Sequence, residues 1–173
     1  MNKIKLKAIV LENRKSFIFY LYILLTIFIT LVLNHQQLIV GTVVNSFLFF
    51  TALNIDKKYH LPVAVFPSIV AVFQGLLFGK LTIFLLYFLS FIWTANYILM
   101  ITVLKFKHLK FLSFILASFL KFLFLYSIAN LYVGFNIVPK MFLTVMGVFQ
   151  LITSLLGAFV YKILEKLFLK KYD

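Results

Sequence analysis

Cysteine is absent from this 173-residue chain, which excludes disulfides and thiolate metal sites. Acids are scarce: Glu12, Asp56, Glu165 and Asp173 are the only four, against seventeen lysines and arginines. No catalytic carboxylate pair can be drawn from them. His35, His60 and His108 stand apart, without metal-ligand spacing. A Ser/His/Asp set and a phosphate-cradling loop are also missing. A membrane enzyme would need one of these, so neither catalysis nor a cofactor is expected. The short apolar–polar alternation of a membrane β-barrel does not occur either.

What the chain has in excess is apolar surface. It is 64% hydrophobic and 19% aromatic, with a mean hydropathy of +1.10, where soluble domains are roughly half apolar. The excess lies in long runs with few charges, the pattern of membrane-spanning helices. The fold class is therefore all-α, a polytopic membrane protein. A net charge of +13 would suggest nucleic acid in a soluble protein, but no solvated basic domain exists to carry that function. The lysines fall between the apolar runs, where they fix orientation and meet anionic lipid headgroups.

Charged clusters divide the sequence. Residues 1–15 read as a basic cytoplasmic tail, residues 16–164 as a single membrane domain, and residues 165–173 as a second basic tail. The expected spans are 16–33, 38–54, 61–79, 81–104, 111–131 and 142–164, a six-helix bundle. No small-residue cleavage motif follows the first run, which reads as an uncleaved helix. With both termini inside, the cytoplasmic segments hold Lys3, Lys5, Lys7, Arg14, Lys15, Lys57, Lys58, Lys105, Lys107, Lys110, Lys162, Lys166, Lys170 and Lys171. Lys80 and Lys140 fall outside, and Lys121 lies within the membrane. The positive-inside rule thus sets an N-in, C-in topology. Pro67 interrupts the third span, either as a kink or as a restart that leaves a short, protein-shielded helix.

Polar residues inside the spans mark the faces turned from lipid. Ser113, Ala117, Lys121 and Ala129 make an i, i+4 ladder in span 5, and Gly147, Gln150, Ser154, Gly157 and Tyr161 make a seam in span 6. Small residues on such seams serve close packing, and amides across them form modest hydrogen bonds. Trp93 suits packing, or stacking on a ring. Lys121 is different. It lies ten residues into its span, about 15 Å along a helix, too deep to reach either surface comfortably. A charged lysine there costs at least about 2.5–3.5 kcal/mol, and no acid is near enough to offset it. Either the amine is uncharged and held by amide and hydroxyl acceptors, or it faces a pocket and meets an anionic or carbonyl-bearing ligand. A purely structural lysine is the bland alternative. The candidate substrate-binding residues are Lys121, Asn45, Gln74, Asn96, Tyr97, Tyr126, Asn130 and Gln150.

Several stretches resemble the S components of energy-coupling-factor (ECF) transporters over roughly residues 35–160. "HQQLIVGTVVNSFLFFTAL" (35–53) is similar to their entry into the second helix through a G-x-x-x-N pattern. "FPSIVAVFQGLLFG" (66–79) resembles their proline-containing third segment, with Pro67 and Gly75 matching. "FIWTANYILMITVL" (91–104) resembles the fourth, with Asn96 in the place of an asparagine and Ala95 replacing its glycine. "SFLKFLFLYSIANL" (118–131) is similar to their lysine-bearing fifth helix, and "MGVFQLITSLLGAFV" (146–160) to the sixth through Gln150, Thr153 and Gly157. The resemblance implies a subunit of a prokaryotic cytoplasmic-membrane importer that captures a vitamin or other micronutrient. It further implies docking on a coupling subunit driven by two cytoplasmic ATPases. In helix 1, Thr26 and Thr30 stand where the family typically carries an A-x-x-x-A docking surface. The alternative from another class is a non-transport membrane scaffold of the cell envelope.

Overall fold

The structure, a computed structural model, describes residues 3–32, 36–73 and 79–169. All regular elements among them are helical: α1 (Lys3–Val32), α2 (Gln37–Asn54), α3 (His60–Phe73), α4 (Leu89–Lys105), α5 (Phe111–Gly134), α6 (Met141–Met146) and α7 (Val148–Leu164). Four stretches are long and apolar enough to cross a membrane: Gln37–Asn54, Ile83–Lys105, Phe111–Gly134 and Met141–Leu167. The apolar part of α1, Ser16–Phe28, is shorter, and α1 also takes in the basic segment from Lys3.

The third and fourth spans depart most from the sequence reading. α3 starts at His60 and runs through Pro67 without restarting. Its fourteen residues reach about 21 Å, short of a hydrocarbon core of about 30 Å. Proline leaves the carbonyl four residues back without its helical partner, and nearby the Ser68 hydroxyl donates to the Val65 carbonyl at 2.8 Å. Gly79–Phe88 forms a 3-10 helix that feeds directly into α4. The last span is broken at Gly147, between α6 and α7.

α2 is the central helix. Asn45 to Ala52 are eight consecutive buried residues, so this helix has no free face over two turns. It packs most extensively against α7 and also against α4, α1 and α3. Two glycines permit the approach of α7. A Cβ on Gly41 would lie 2.8 Å from Thr153 Cγ2, and one on Gly157 would lie 2.7 Å from Asn45 Cβ and 2.8 Å from the Ser46 amide nitrogen. Gly157→Leu should therefore lower stability by about 1–3 kcal/mol, the range for overpacking. Gly134→Ala, where nothing lies within 4 Å, should stay within about 0.5 kcal/mol. Thermal unfolding of both variants in one detergent checks the contrast.

Apolar side chains fill the bundle in two clusters. One gathers Tyr22, Phe47, Phe50, Leu99, Phe114 and Tyr161; the other gathers Phe88, Ala95, Leu125, Ala129, Phe142 and Met146. Their rings are in contact, as in Phe49 with Phe114 at 5.0 Å and Phe88 with Phe142 at 5.5 Å between centroids. Hydroxyl pairs tie neighbouring helices, Tyr22 to Ser46 at 2.6 Å and Ser118 to Ser154 at 2.7 Å. Trp93 Nε1 donates to Ser68 Oγ at 2.7 Å, joining α4 to α3. Ser118→Ala should cost only about 0.6 kcal/mol, the mean for hydrogen bonds between membrane helices. The outer surface carries many large apolar side chains, including Phe17, Tyr20, Leu24, Phe28, Phe119 and Phe159. Such a surface suits lipid rather than water.

Candidate functional site

Between the two apolar clusters lies a polar centre built around Lys121. On α5 the lysine stands one turn from Ala117 of the first cluster and one turn from Leu125 of the second. The ladder Ser113, Ala117, Lys121, Leu125 and Ala129 is wholly buried, so the helical repeat turns the lysine into the bundle. Its side chain is 2% exposed. The amine donates to Asn45 Oδ1 of α2 at 2.8 Å and to Asn96 Oδ1 of α4 at 2.7 Å.

Each asparagine is held in the orientation that presents its oxygen. Asn45 Nδ2 donates to the Gly41 carbonyl at 2.8 Å and to Thr153 Oγ1 at 3.2 Å. Asn96 Nδ2 donates to the Ala64 carbonyl of α3 at 2.9 Å. The Thr153 hydroxyl in turn donates to the Gln150 carbonyl at 3.3 Å. Backbone carbonyls accept only, so both amide nitrogens must face them and both oxygens must face the amine. One network thereby joins α2, α3, α4, α5 and α7.

A cavity of about 100 Å³ adjoins this network. Its lining runs from Gln37, the first residue of α2, past Gly41 to Asn45, and includes Pro67, Ser68, Asn96, Lys121 and Gln150. Apolar side chains such as Val44, Val72, Ile92 and Met146 complete the wall. Asn45 lies eight residues beyond Gln37, about 12 Å along the helix. The cavity thus leads from one end of the bundle toward its middle. Two positions around the nitrogen of Lys121 are used by amide oxygens; the lysine itself belongs to the cavity wall. Neither acceptor carries a full negative charge.

Of the eight residues singled out in the sequence, Lys121, Asn45 and Asn96 come together in one network, and Gln150 shares their cavity. Tyr97, Tyr126 and Asn130 are exposed and do not line it. Tyr126 stacks on Phe122 with centroids 5.6 Å apart, and Asn130 Nδ2 turns back to the Tyr126 carbonyl at 3.2 Å. Gln74, and Gly75 beside it, lie outside the described residues. Three polar contributors went unread as site residues: Gln37, Ser68 and Thr153. Gln37 sits beside a polar loop sequence and Ser68 beside a proline, so neither stood out. Thr153 was legible, since it lies one turn from Gly157 on the same packed face. No family model, curated protein or solved structure matches this chain.

Proposed function

We propose that this chain is an integral membrane substrate-binding subunit, similar to the S components of ECF importers. Six spans with both termini in the cytoplasm carry it, and the 14-residue α3 counts as a short third span shielded by its neighbours. The cavity takes a small anionic or polar micronutrient, or the polar end of one. A coupling subunit and two cytoplasmic ATPases supply the energy, because the chain has no nucleotide-binding loop of its own.

One observation carries this reading: a buried amine in a cavity wall, with two neutral amide oxygens and no carboxylate among its hydrogen-bond partners. An anionic group in that cavity would complete the set with a charge-assisted bond, roughly twice as strong as a neutral one. Volume bounds what fits. A cavity of about 150 Å³ admits benzene, so about 100 Å³ accepts a carboxylate or carbonyl with a few attached carbons. The rest of a larger ligand would extend toward Gln37.

The self-contained network also favours a second reading. Asn45 and Asn96 hold the lysine from within, as a packed envelope scaffold would require. Purification of the tagged full chain from its native membrane separates the two. Recovery of one integral-membrane coupling partner with two ATPases supports the importer. Recovery of envelope proteins without any ATPase overturns it.

A further inference from the structure

The far end of the bundle holds a second cavity, of about 280 Å³, where the C-terminal ends of α2 and α7 meet the start of α5. Its polar wall includes Asn54, Lys107, Lys110, Tyr161, Lys162 and Glu165. We propose that this is a binding site for a phosphate group, borne by an anionic phospholipid at the membrane boundary. This site is separate from the Lys121 cavity and independent of any transported ligand.

The cavity carries excess positive charge. Glu165 is already committed: Lys162 Nζ reaches its Oε2 at 2.7 Å, and the Tyr161 hydroxyl donates to its Oε1 at 3.1 Å. That pair cancels, and the Lys162 ammonium also lies 5.0 Å from the Phe114 ring centroid. Lys107 and Lys110 have no carboxylate partner among the described residues. Asp56, the nearest acid in sequence at this end, faces Lys58 at 3.8 Å. The cavity therefore holds about two uncompensated positive charges. Asn54 Nδ2 is tied to the Phe50 carbonyl and reaches the Tyr161 oxygen at 3.3 Å, which fixes that part of the wall.

The backbone at Lys110 is strained. Lys110 adopts φ 50° and ψ −119°, a conformation open to glycine and costly for a side-chain-bearing residue. The tight turn over Lys107–Lys110, closed by the Lys110 amide on the Lys107 carbonyl at 3.1 Å, brings both lysines to one cavity. Glycine would make this turn without strain. A lysine there carries a backbone cost, as strained positions at ligand sites do.

The span Ile83–Lys105 ends, and Phe111–Gly134 begins, on either side of this turn. Lys107 and Lys110 therefore stand at the hydrocarbon boundary, the level of lipid phosphates. A soluble phosphate ester would offer the same group, and the test must tell the two sources apart.

The full-length protein in neutral detergent is titrated with phosphatidylglycerol, with phosphatidylcholine and, separately, with inorganic phosphate, and bound species are counted by native mass spectrometry. Wild type should prefer phosphatidylglycerol over phosphatidylcholine. Lys107→Gln/Lys110→Gln should weaken that binding about ten- to thirtyfold, at the per-lysine surface contribution. Lys57→Gln/Lys58→Gln, at the same end but outside the cavity, should leave it within about twofold. Lys110→Gly should lose affinity while holding or raising the thermal midpoint, a split that a structural lysine would not give. Saturable binding of inorganic phosphate that is lost in the double variant, with no lipid preference, would overturn the lipid source. Equal lipid retention by wild type and the double variant would overturn the site itself.

Discussion

Asn96→Leu is expected to destabilise the bundle by about 2–3 kcal/mol, far more than any single hydroxyl on the same helices. The asparagine oxygen is one of two acceptors for the Lys121 amine, and its nitrogen holds the Ala64 carbonyl. A hydrogen bond to a charged group contributes about 1.5–3 kcal/mol, and leucine offers the amine nothing in return. Lys121→Met in the same background should recover most of the loss. Once the amine is gone, a leucine facing a methionine is ordinary packing, and replacing both partners of a buried polar pair is often neutral. The two changes should therefore be strongly non-additive. Thermal midpoints of the wild type, both single variants and the double variant in one detergent form the cycle. An Asn96→Leu loss below about 0.5 kcal/mol would show that the amine draws no support from α4.

Lys121→Met alone should insert and fold with little change, and in the proposed substrate-binding role ligand affinity should fall about ten- to a hundredfold or more. Two effects oppose each other in the fold. Losing the amine leaves the Asn45 and Asn96 oxygens without a partner, at about 1–3 kcal/mol each. Against this, an ammonium at the centre of a membrane costs at least about 2.5–3.5 kcal/mol, which methionine abolishes. Both asparagines also keep their nitrogen contacts to Gly41 and Ala64. Binding has no such offset. In the proposed role a charge-assisted bond to the ligand would be lost, and about 1.5–3 kcal/mol corresponds to roughly ten- to 150-fold in affinity. Lys121→Arg should not rescue, because a planar guanidinium cannot take the compact geometry between two amide oxygens. Substrate uptake in cells expressing each variant at equal membrane levels provides the measurement.

Much of the interior could be read from spacing alone, for a physical reason. A helix repeats every 3.6 residues and lipid rejects polar groups, so polar residues at helical intervals declare the inward face. That logic singled out Lys121, Asn45 and Asn96, and it chose the buried α5 ladder from Ser113 to Ala129. It worked less well for side chains that carry little polar cost. Tyr97 and Tyr126 are exposed although both lie well inside their spans, because each is mostly apolar ring, and Asn130 turns its amide back to the Tyr126 carbonyl. The irregular backbone was also hard to foresee. Pro67 sits inside a continuous α3 because its missing donor does not by itself force a restart. In the 3-10 stretch Gly79–Phe88, Leu85 and Phe88 join the second apolar cluster. The break at Gly147, in turn, faces the Tyr126 ring, which leaves no room there for a Cβ. None of these choices leaves a periodic trace in sequence.

The most direct test of a ligand-completed lysine is native mass spectrometry of the full chain, purified gently from its native membrane beside Lys121→Met. Wild type should carry a small, acidic or carbonyl-bearing adduct that dissociates on activation, and the variant should emerge without it. A wild-type protein free of any adduct, or an identical adduct on both proteins, would contradict a substrate role for this amine.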